Sequence, residues 1–142
     1  MDDPNAFVGR LMALWAEPVP PGDAGVTAFA SCYAERLTVN GVPFALTDLV
    51  DRARALQRAY SGIRPEVLEV VATADRLVIG FVMHVKHTGP LTTPLGVLSP
   101  TGREAAVRTI DILAMGDGRV TDITVVADEL GLLTQLGAVR LA

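Results

Sequence analysis

The sequence has little of what metal-binding, nucleic-acid-binding and membrane-spanning proteins use. Cys32 is its single cysteine, which excludes an internal disulfide and a cysteine-rich zinc site. The net charge is −4 and the two signs are interspersed, so no basic stripe is present that would bind nucleic acid. No uncharged apolar run approaches the ~20 residues that a membrane helix needs. These shortages argue against nucleic acid and membrane as partners, and no metal site is predicted.

What the sequence does have is apolar side chains in quantity. Its 142 residues are 50% hydrophobic and 20% charged, which predicts one compact domain over residues 1–142. The first residues, Met1-Asp2-Asp3-Pro4, are acidic where a signal peptide would be basic. A cytoplasmic location is therefore expected.

Three helices are predicted in the first half of the chain. Their N-caps are Asp3 before Pro4, then Asp23, then Thr47 or Asp48. The second helix has an apolar side of Val26, Phe29, Ala30, Tyr33 and Leu37 at helical spacing. Gly62 is expected to end the third helix.

Long strands are predicted mainly in the second half, over residues 67–73, 76–88, 104–115 and 119–127. A shorter hairpin over residues 37–45 precedes them, with Asn40-Gly41 as its turn and Pro43 on an edge strand. Helices first and long strands later is typical of an α+β layer. The loop over residues 89–102 is long for a compact domain, which is common for lids and pocket rims.

Asp111 is the main candidate for chemistry. Strand side chains alternate, and Asp111 is the only ionisable group on its face, which also carries Ala105, Val107, Thr109, Leu113 and Met115. An unpaired carboxylate among apolar neighbours either finds a partner or keeps a proton. As a catalytic group it would be a general base or acid with a raised pKa, facing a pocket. As a structural group it would bond to Thr109, Arg108 or a histidine, or lie at a strand end.

The two histidines, His84 and His87, lie three residues apart on one strand. They therefore point to opposite faces and cannot bind one metal ion together. His87 is the better pocket candidate, where it would hydrogen-bond Asp111 or polarise a substrate carbonyl. The structural alternative is a neutral imidazole bonded to backbone at a strand end.

Several aromatic and apolar residues are candidates to contact a substrate, although packing is the default role of each. These candidates are Trp15, Phe29, Tyr33, Tyr60, Phe81, Met83, Leu95 and Thr124. Tyr33 or Tyr60 could offer an O–H to a ligand oxygen.

Six short motifs occur in an order that is more specific than any one of them. They are His87-Thr88-Gly89, Thr101-Gly102-Arg103, Asp111-Ile112, Asp117-Gly118-Arg119-Val120, Asp128-Glu129-Leu130-Gly131-Leu132-Leu133 and Gln135-Leu136-Gly137. With these motifs the chain, roughly from Ala34 to its end, resembles the SnoaL-like polyketide cyclase family of the NTF2-like group. The resemblance implies an α+β cone with a pocket inside. A curved, mostly antiparallel sheet would wrap around three helices of the N-terminal half, with a short C-terminal helix or tail.

The resemblance also implies a function. It predicts a cofactor-free enzyme of polyketide antibiotic biosynthesis, with Asp111 as general base on a hydrophobic polyketide-like substrate and His87 as the second catalytic candidate. It further implies a homodimer through the open face of the sheet. Val78 and Val82, or Ile110 and Ile112, are compatible with an apolar outer face there.

Two positions depart from the family pattern. The loop between the His-Thr-Gly and Thr-Gly-Arg motifs has leucines such as Leu95 where aldol-type cyclases usually offer Trp and His. Thr124 stands near a position where relatives often have Trp. If cyclisation occurs, the acid must therefore be His87, a tyrosine or water.

Two other functions remain open from the sequence. One is a related epoxide hydrolase, hydroxylase or isomerase, which a second carboxylate or an arginine beside Asp111 would indicate. The other is a non-catalytic accessory protein that binds a small molecule, which the scarcity of polar pocket candidates favours.

Overall fold

The computed structural model describes residues 3–142, which form four α-helices and eight β-strands. The helices are α1 (Pro4–Ala16), α2 (Asp23–Phe29), α3 (Leu46–Ala59) and α4 (Glu129–Gln135). The strands are β1 (Tyr33–Val39), β2 (Val42–Ala45), β3 (Tyr60–Ala72), β4 (Arg76–His87), β5 (Leu91–Thr93), β6 (Gly96–Leu98), β7 (Glu104–Gly116) and β8 (Arg119–Ala127). Among these helices, none is long and apolar enough to cross a membrane.

Six of the strands form one sheet in the order β2-β1-β8-β7-β4-β3, and β5 and β6 form a separate hairpin. Every neighbouring pair in the sheet is antiparallel except β1 and β8, which are parallel. Three helices precede the long strands and a short helix follows them. The predicted α+β architecture with a mostly antiparallel sheet is confirmed.

The core lies between the helices and the inner face of the sheet. Its largest fully buried side chains include Phe7, Leu11, Phe29, Leu49, Leu77, Ile79 and Leu113. A smaller apolar cluster connects the C-terminal end of α3 with α4, and it includes the C-terminal end of β4 and the N-terminal end of β7. Residues of both clusters face one cavity against the inner face of the sheet.

The register of β7 confirms the predicted face of that strand. Asp111 pairs with Ile79 of β4 and Val125 of β8, and its side chain lies on the inner face. The intervening Ile110 and Ile112 point outward and are 52% and 43% exposed. Alternation along β7 therefore puts the carboxyl group of Asp111 on the inner face of the sheet and the two isoleucines on its outer face.

Several local predictions are confirmed. Helix α1 begins with Asp3 as N-cap, whose carboxylate accepts the Asn5 N–H at 3.3 Å, and with Pro4 as its first residue. The β1–β2 hairpin turns at Asn40-Gly41, where both residues have positive φ. Pro43 lies on β2, an edge strand that tolerates a missing N–H.

The second helix is shorter than predicted. Helix α2 ends at Phe29, and Tyr33 and Leu37 belong to β1. A spacing of four residues fits one face of either a helix or a strand, and pairing with β2 and β8 decides for the strand. Its N-cap is Gly22, and Asp23 is the first helical residue.

Both ends of the third helix also differ from the prediction. The N-cap of α3 is Ala45, whose N–H donates to the Asp48 carboxylate at 2.9 Å. Its last residue is Ala59, so Gly62 does not end it and lies within β3 instead. A register shift between Ser61 and Arg64 accommodates Gly62, because an irregularity costs little on an edge strand.

Candidate active site

A cavity of about 330 Å³ lies between the inner face of the sheet, helices α1, α3 and α4, and the β5–β6 hairpin. Most of its wall is apolar, with contributions from Leu11, Met12, Leu49, Leu56, Phe81, Met83, Val85, Leu113, Ile123, Val125, Leu132 and Leu133. Arg52 and Glu129 are exposed and lie at its mouth. An apolar wall with few polar groups has the chemistry to accommodate a hydrophobic molecule.

Asp111 lies in the cavity wall, two residues from Thr109 and from Leu113 on the same strand face. Among residues 3–142, no group donates a hydrogen bond to its carboxylate or forms an ion pair with it. Burial raises the pKa of Asp111 to about 7, because the charged form loses water and gains no partner. A carboxyl group with this pKa can accept and return a proton near neutral pH.

Three aromatic side chains are packed together beside the cavity. The Tyr33 ring stacks on Phe29 at 5.8 Å between centroids, and Trp15 meets Phe29 edge to face at 5.7 Å. The indole N–H of Trp15 donates to the Tyr33 hydroxyl at 2.8 Å. Trp15 and Tyr33 line the cavity, whereas Phe29 lies behind them as a fully buried support.

Burial raises the pKa of the Tyr33 hydroxyl well above its ordinary value. The hydrogen bond from Trp15 lowers this pKa and the charge of Asp111 raises it, and both effects are smaller than that of burial. Tyr33 is therefore a neutral O–H group at physiological pH. Burial alone raises the pKa of Tyr60, the second tyrosine of the cavity, to about 12.

His87 does not line the cavity. Its side chain is fully buried, and its Nδ1 accepts the backbone N–H of Thr101 at 3.1 Å and lies 3.0 Å from the Thr101 hydroxyl oxygen. Its ring lies edge to face against Tyr60, 6.2 Å between centroids, so Tyr60 occupies the cavity wall in its place. The arrangement is that of the structural alternative, an imidazole bonded to backbone at a strand end.

The substrate-binding candidates divide into two groups. The structure brings Trp15, Tyr33, Tyr60, Phe81 and Met83 together around the cavity with Asp111. It places Phe29, Leu95 and Thr124 elsewhere. Leu95 is at the tip of the β5–β6 hairpin and is 78% exposed, while neighbouring hairpin residues 91–94 do line the cavity. Thr124 pairs with Ile112 on the outer sheet face.

Sequence reasoning did not single out Thr109, Arg52 or Glu129 as cavity residues. Thr109 shares the strand face of Asp111, so the period-two pattern contained the signal for it. Arg52 lies on α3, and its guanidinium carbon is 5.0 Å from the centroid of the Phe44 ring, a tertiary contact that no local pattern predicts. Glu129 is the first residue of α4 and carries no local signal.

Neither a charged network around Asp111 nor a metal-binding cluster occurs within residues 3–142. No second carboxylate and no arginine bonds to it within residues 3–142, so the network that would indicate an epoxide hydrolase is not present there. In the same residues, no group of histidine, cysteine and acidic side chains could hold a metal ion.

The helices, the sheet and the enclosed cavity together define an α+β protein of the NTF2-like class. The family model for SnoaL-like polyketide cyclases matches residues 13–136. The chain therefore belongs to the SnoaL-like polyketide cyclase family, which confirms the resemblance carried by the six motifs. No curated protein matches the sequence.

Solved structures with this fold include several from Streptomyces. TsrD from Streptomyces laurentii is 22% identical over 95% of each chain, with a TM-score of 0.80. AclR from Streptomyces galilaeus, a candidate hydroxylase, is 18% identical over 99% of each chain, with a TM-score of 0.77. A SnoaL-like polyketide cyclase from Agrobacterium tumefaciens is 17% identical over 96% of this chain and 100% of its own, with a TM-score of 0.77. At these identities the likeness establishes the fold alone.

Proposed function

We propose that the protein is a cofactor-free enzyme of the cyclase type, in which Asp111 is the general base on a hydrophobic polyketide-like substrate. The observation that carries the proposal is the carboxyl group of Asp111, which lies unpartnered in an apolar cavity with its pKa raised to about 7. A role in polyketide antibiotic biosynthesis and a cytoplasmic location remain predictions from the sequence.

The proposed step begins with the ionised carboxylate of Asp111 taking a proton from a carbon next to a carbonyl group. The electron pair of the broken C–H bond forms the C=C bond of an enolate, and the carbonyl π pair moves to oxygen. In a cyclisation, the enolate carbon then attacks a second carbonyl carbon of the same molecule. The alkoxide formed there takes the proton back from Asp111. Atoms and electrons balance within the substrate, so the step needs no cofactor.

The apolar wall supports this chemistry in two ways. It keeps water away from Asp111, which holds the pKa of the carboxyl group near neutrality. It also confines a flexible substrate, and holding two reacting carbons in position contributes strongly to the rate of an intramolecular reaction. General-base catalysis supplies roughly 10²–10⁴-fold, and this confinement would supply the remainder.

The proposal can be tested without the natural substrate. Tetralones are bicyclic ketones of suitable size, and loss of their α-hydrogen signal in deuterated water reports proton abstraction. We expect exchange above the buffer rate, increasing from pH 5 to pH 8 with a midpoint near 7, because only ionised Asp111 accepts a proton. Exchange no faster than in buffer, or unchanged across this range, would contradict the proposal.

A non-catalytic binding protein is the second candidate function. It is supported by the small number of polar side chains in the cavity, where Asp111 is the only carboxyl group away from the mouth. Such a protein would bind tetralones, as seen by quenching of Trp15 fluorescence, and would not accelerate their exchange. The two measurements together separate the two functions.

We also propose a homodimer that buries the outer face of the sheet. Val71, Val78, Ile110, Ile112 and Val126 form an apolar patch there, since their registered partners place them side by side on β3, β4, β7 and β8. Ile110, Ile112, Val71 and Val126 are all substantially exposed, and Val126 reaches 68%. Val82 is buried within the chain and does not extend the patch. Contiguous exposed apolar side chains of this kind mark interaction surfaces.

Replacing Val126 by glutamate is expected to break the dimer, because a twofold interface would bring unpaired carboxylates into an apolar patch. Light scattering should give twice the 15.0 kDa chain mass for the wild type and the single mass for the variant. Val42→Glu is the matched control, because Val42 is 55% exposed on the edge strand β2 and lies outside the patch. A monomeric wild type, or equal dissociation by both variants, would refute this interface.

A further inference from the structure

The hydroxyl of Tyr33 has an unused proton beside the cavity. The Trp15 indole nitrogen can only donate, so in their 2.8 Å hydrogen bond the Tyr33 oxygen is the acceptor. The proton of Tyr33 must then point elsewhere, and no acceptor for it lies within hydrogen-bond reach among residues 3–142. A buried donor without a partner is costly, and at a ligand cavity it is available to the ligand.

The position of this donor relative to Asp111 gives it a chemical role. Tyr33 is 3% exposed, lines the same cavity as Asp111, and is held in place by the ring of Phe29. Tyr33 and Asp111 face the same cavity and do not hydrogen-bond to each other, which leaves space for a ligand between them. A carbonyl compound between them would present its α-hydrogen to Asp111 and its oxygen to Tyr33.

We propose that Tyr33 is the catalytic hydrogen-bond donor to the substrate carbonyl oxygen, and that Trp15 is the positioning residue which directs the Tyr33 proton into the cavity. This inference rests on the proposed function, because the oxygen becomes negative only when Asp111 takes the α-proton. The Trp15 N–H also polarises the Tyr33 O–H, since hydrogen bonds in a chain strengthen one another. Tyr60 also lines the cavity, but among residues 3–142 no hydrogen bond fixes its hydroxyl, and His87 lies outside the wall.

The kinetic test compares two tyrosines of one cavity. Tyr33→Phe removes only the hydroxyl and leaves the stack on Phe29, so we expect the rate of tetralone exchange to decrease by roughly 10²–10³-fold, mostly in kcat. Tyr60→Phe removes the other tyrosine hydroxyl of the cavity, and we expect a smaller decrease than for Tyr33→Phe. Equal effects of the two variants would overturn the assignment.

A binding test separates this inference from the proposed function, because it requires no turnover. In Asp111→Asn the amide stands in for the carboxylic acid that exists after proton abstraction, and 2-naphtholate stands in for the enolate. We expect Tyr33→Phe, added to this variant, to weaken naphtholate binding by roughly 10–100-fold while neutral 2-naphthol binds as before. Trp15→Phe should give a smaller loss, again confined to the anion.

The outcomes are distinguishable. If Asp111→Asn retains full exchange activity, the proposed base is wrong, while the naphtholate comparison still decides on Tyr33. If naphtholate affinity is the same with and without the Tyr33 hydroxyl, or if naphtholate does not bind Asp111→Asn at all, the role of Tyr33 is refuted. If Trp15→Phe lowers naphthol and naphtholate affinity equally, Trp15 only shapes the cavity and does not position the donor.

Discussion

Asp111→Asn is expected to lower the rate of tetralone exchange by roughly 10²–10⁴-fold. Asparagine has nearly the same shape as aspartate and fits between Thr109 and Leu113, but its amide cannot accept a proton at neutral pH. The exchange rate measured by NMR at pH 8 checks the prediction, because wild-type Asp111 is then mostly ionised.

The matched control for this variant is Asp75→Asn. Asp75 lies in the turn before β4, on the surface, and forms an ion pair with Arg76 at 3.3 Å, far from the cavity wall. It should keep the wild-type rate. An Asp111→Asn protein that exchanges within a few-fold of the wild type would show that the carboxyl group is not the base.

The same substitution should change the pH dependence of stability. Below about pH 4 Asp111 is protonated in both folded and unfolded chains, so its burial costs little. As pH increases towards 7, the Asp111 carboxyl group ionises in the unfolded chain but stays protonated in the folded one, so the wild type loses stability. The free energy of unfolding of Asp111→Asn relative to the wild type should thus increase by roughly 2–4 kcal/mol between pH 4 and pH 8. Urea unfolding at the two pH values measures it, and a constant difference would mean that Asp111 is not buried as described.

Gly89→Ala is expected to destabilise the fold by roughly 3 kcal/mol. A β-carbon at Gly89 would lie 1.9 Å from the carbonyl oxygen of Arg58, at the end of α3. The backbone there cannot move aside cheaply, because the N–H groups of Thr88 and Gly89 both donate to the Ala59 carbonyl, at 3.0 and 2.9 Å. The substitution would therefore separate the β5–β6 hairpin from α3 and open the cavity rim. A decrease in the urea midpoint with an unchanged slope checks this.

Gly9→Ala is the control for Gly89→Ala. Gly9 lies on the exposed side of α1, and a β-carbon there meets no atom within 4 Å. It should raise the free energy of unfolding by roughly 0.5–1 kcal/mol, because alanine is the better helix former. If the two variants change the free energy of unfolding alike, the backbone at Gly89 is not too close to Arg58 to accept a β-carbon.

The architecture and the face of Asp111 could be predicted from local patterns. Alternation along β7 was sufficient to place Asp111 inward and Ile110 outward, and the Asn40-Gly41 turn fixed a hairpin. Tyr33 shows where such patterns fail. Its spacing from Phe29 and Leu37 satisfies a helix as well as a strand, and only the distant β8 settles the choice.

The candidate site could be predicted only in part, because the burial of a side chain and the residues that it contacts are tertiary properties. Periodicity grouped Asp111 with the apolar face of its strand and put His84 and His87 on opposite faces, but it could not show that Tyr60 lies between His87 and the cavity. The hydrogen bond from Trp15 to Tyr33 joins residues 18 positions apart on two elements, and no sequence motif encodes it. Leu95 was chosen for its loop, yet the hairpin turns it into solvent.

The parallel pairing of β1 with β8 bears on how the chain is assembled during synthesis. Strand β8 lies between β1 and β7, and the Asn40 side chain bonds to the Val125 backbone of β8 twice, at 2.8 and 3.2 Å. The hairpin that starts at Tyr33 consequently has no sheet to join until residue 127 has left the ribosome, although its last residue, Ala45, is made 82 residues earlier. Tyr33 and Asp111, the proposed proton donor and acceptor, thus come from segments that meet only after β8 is made, so a shorter nascent chain would lack the proposed catalytic pair.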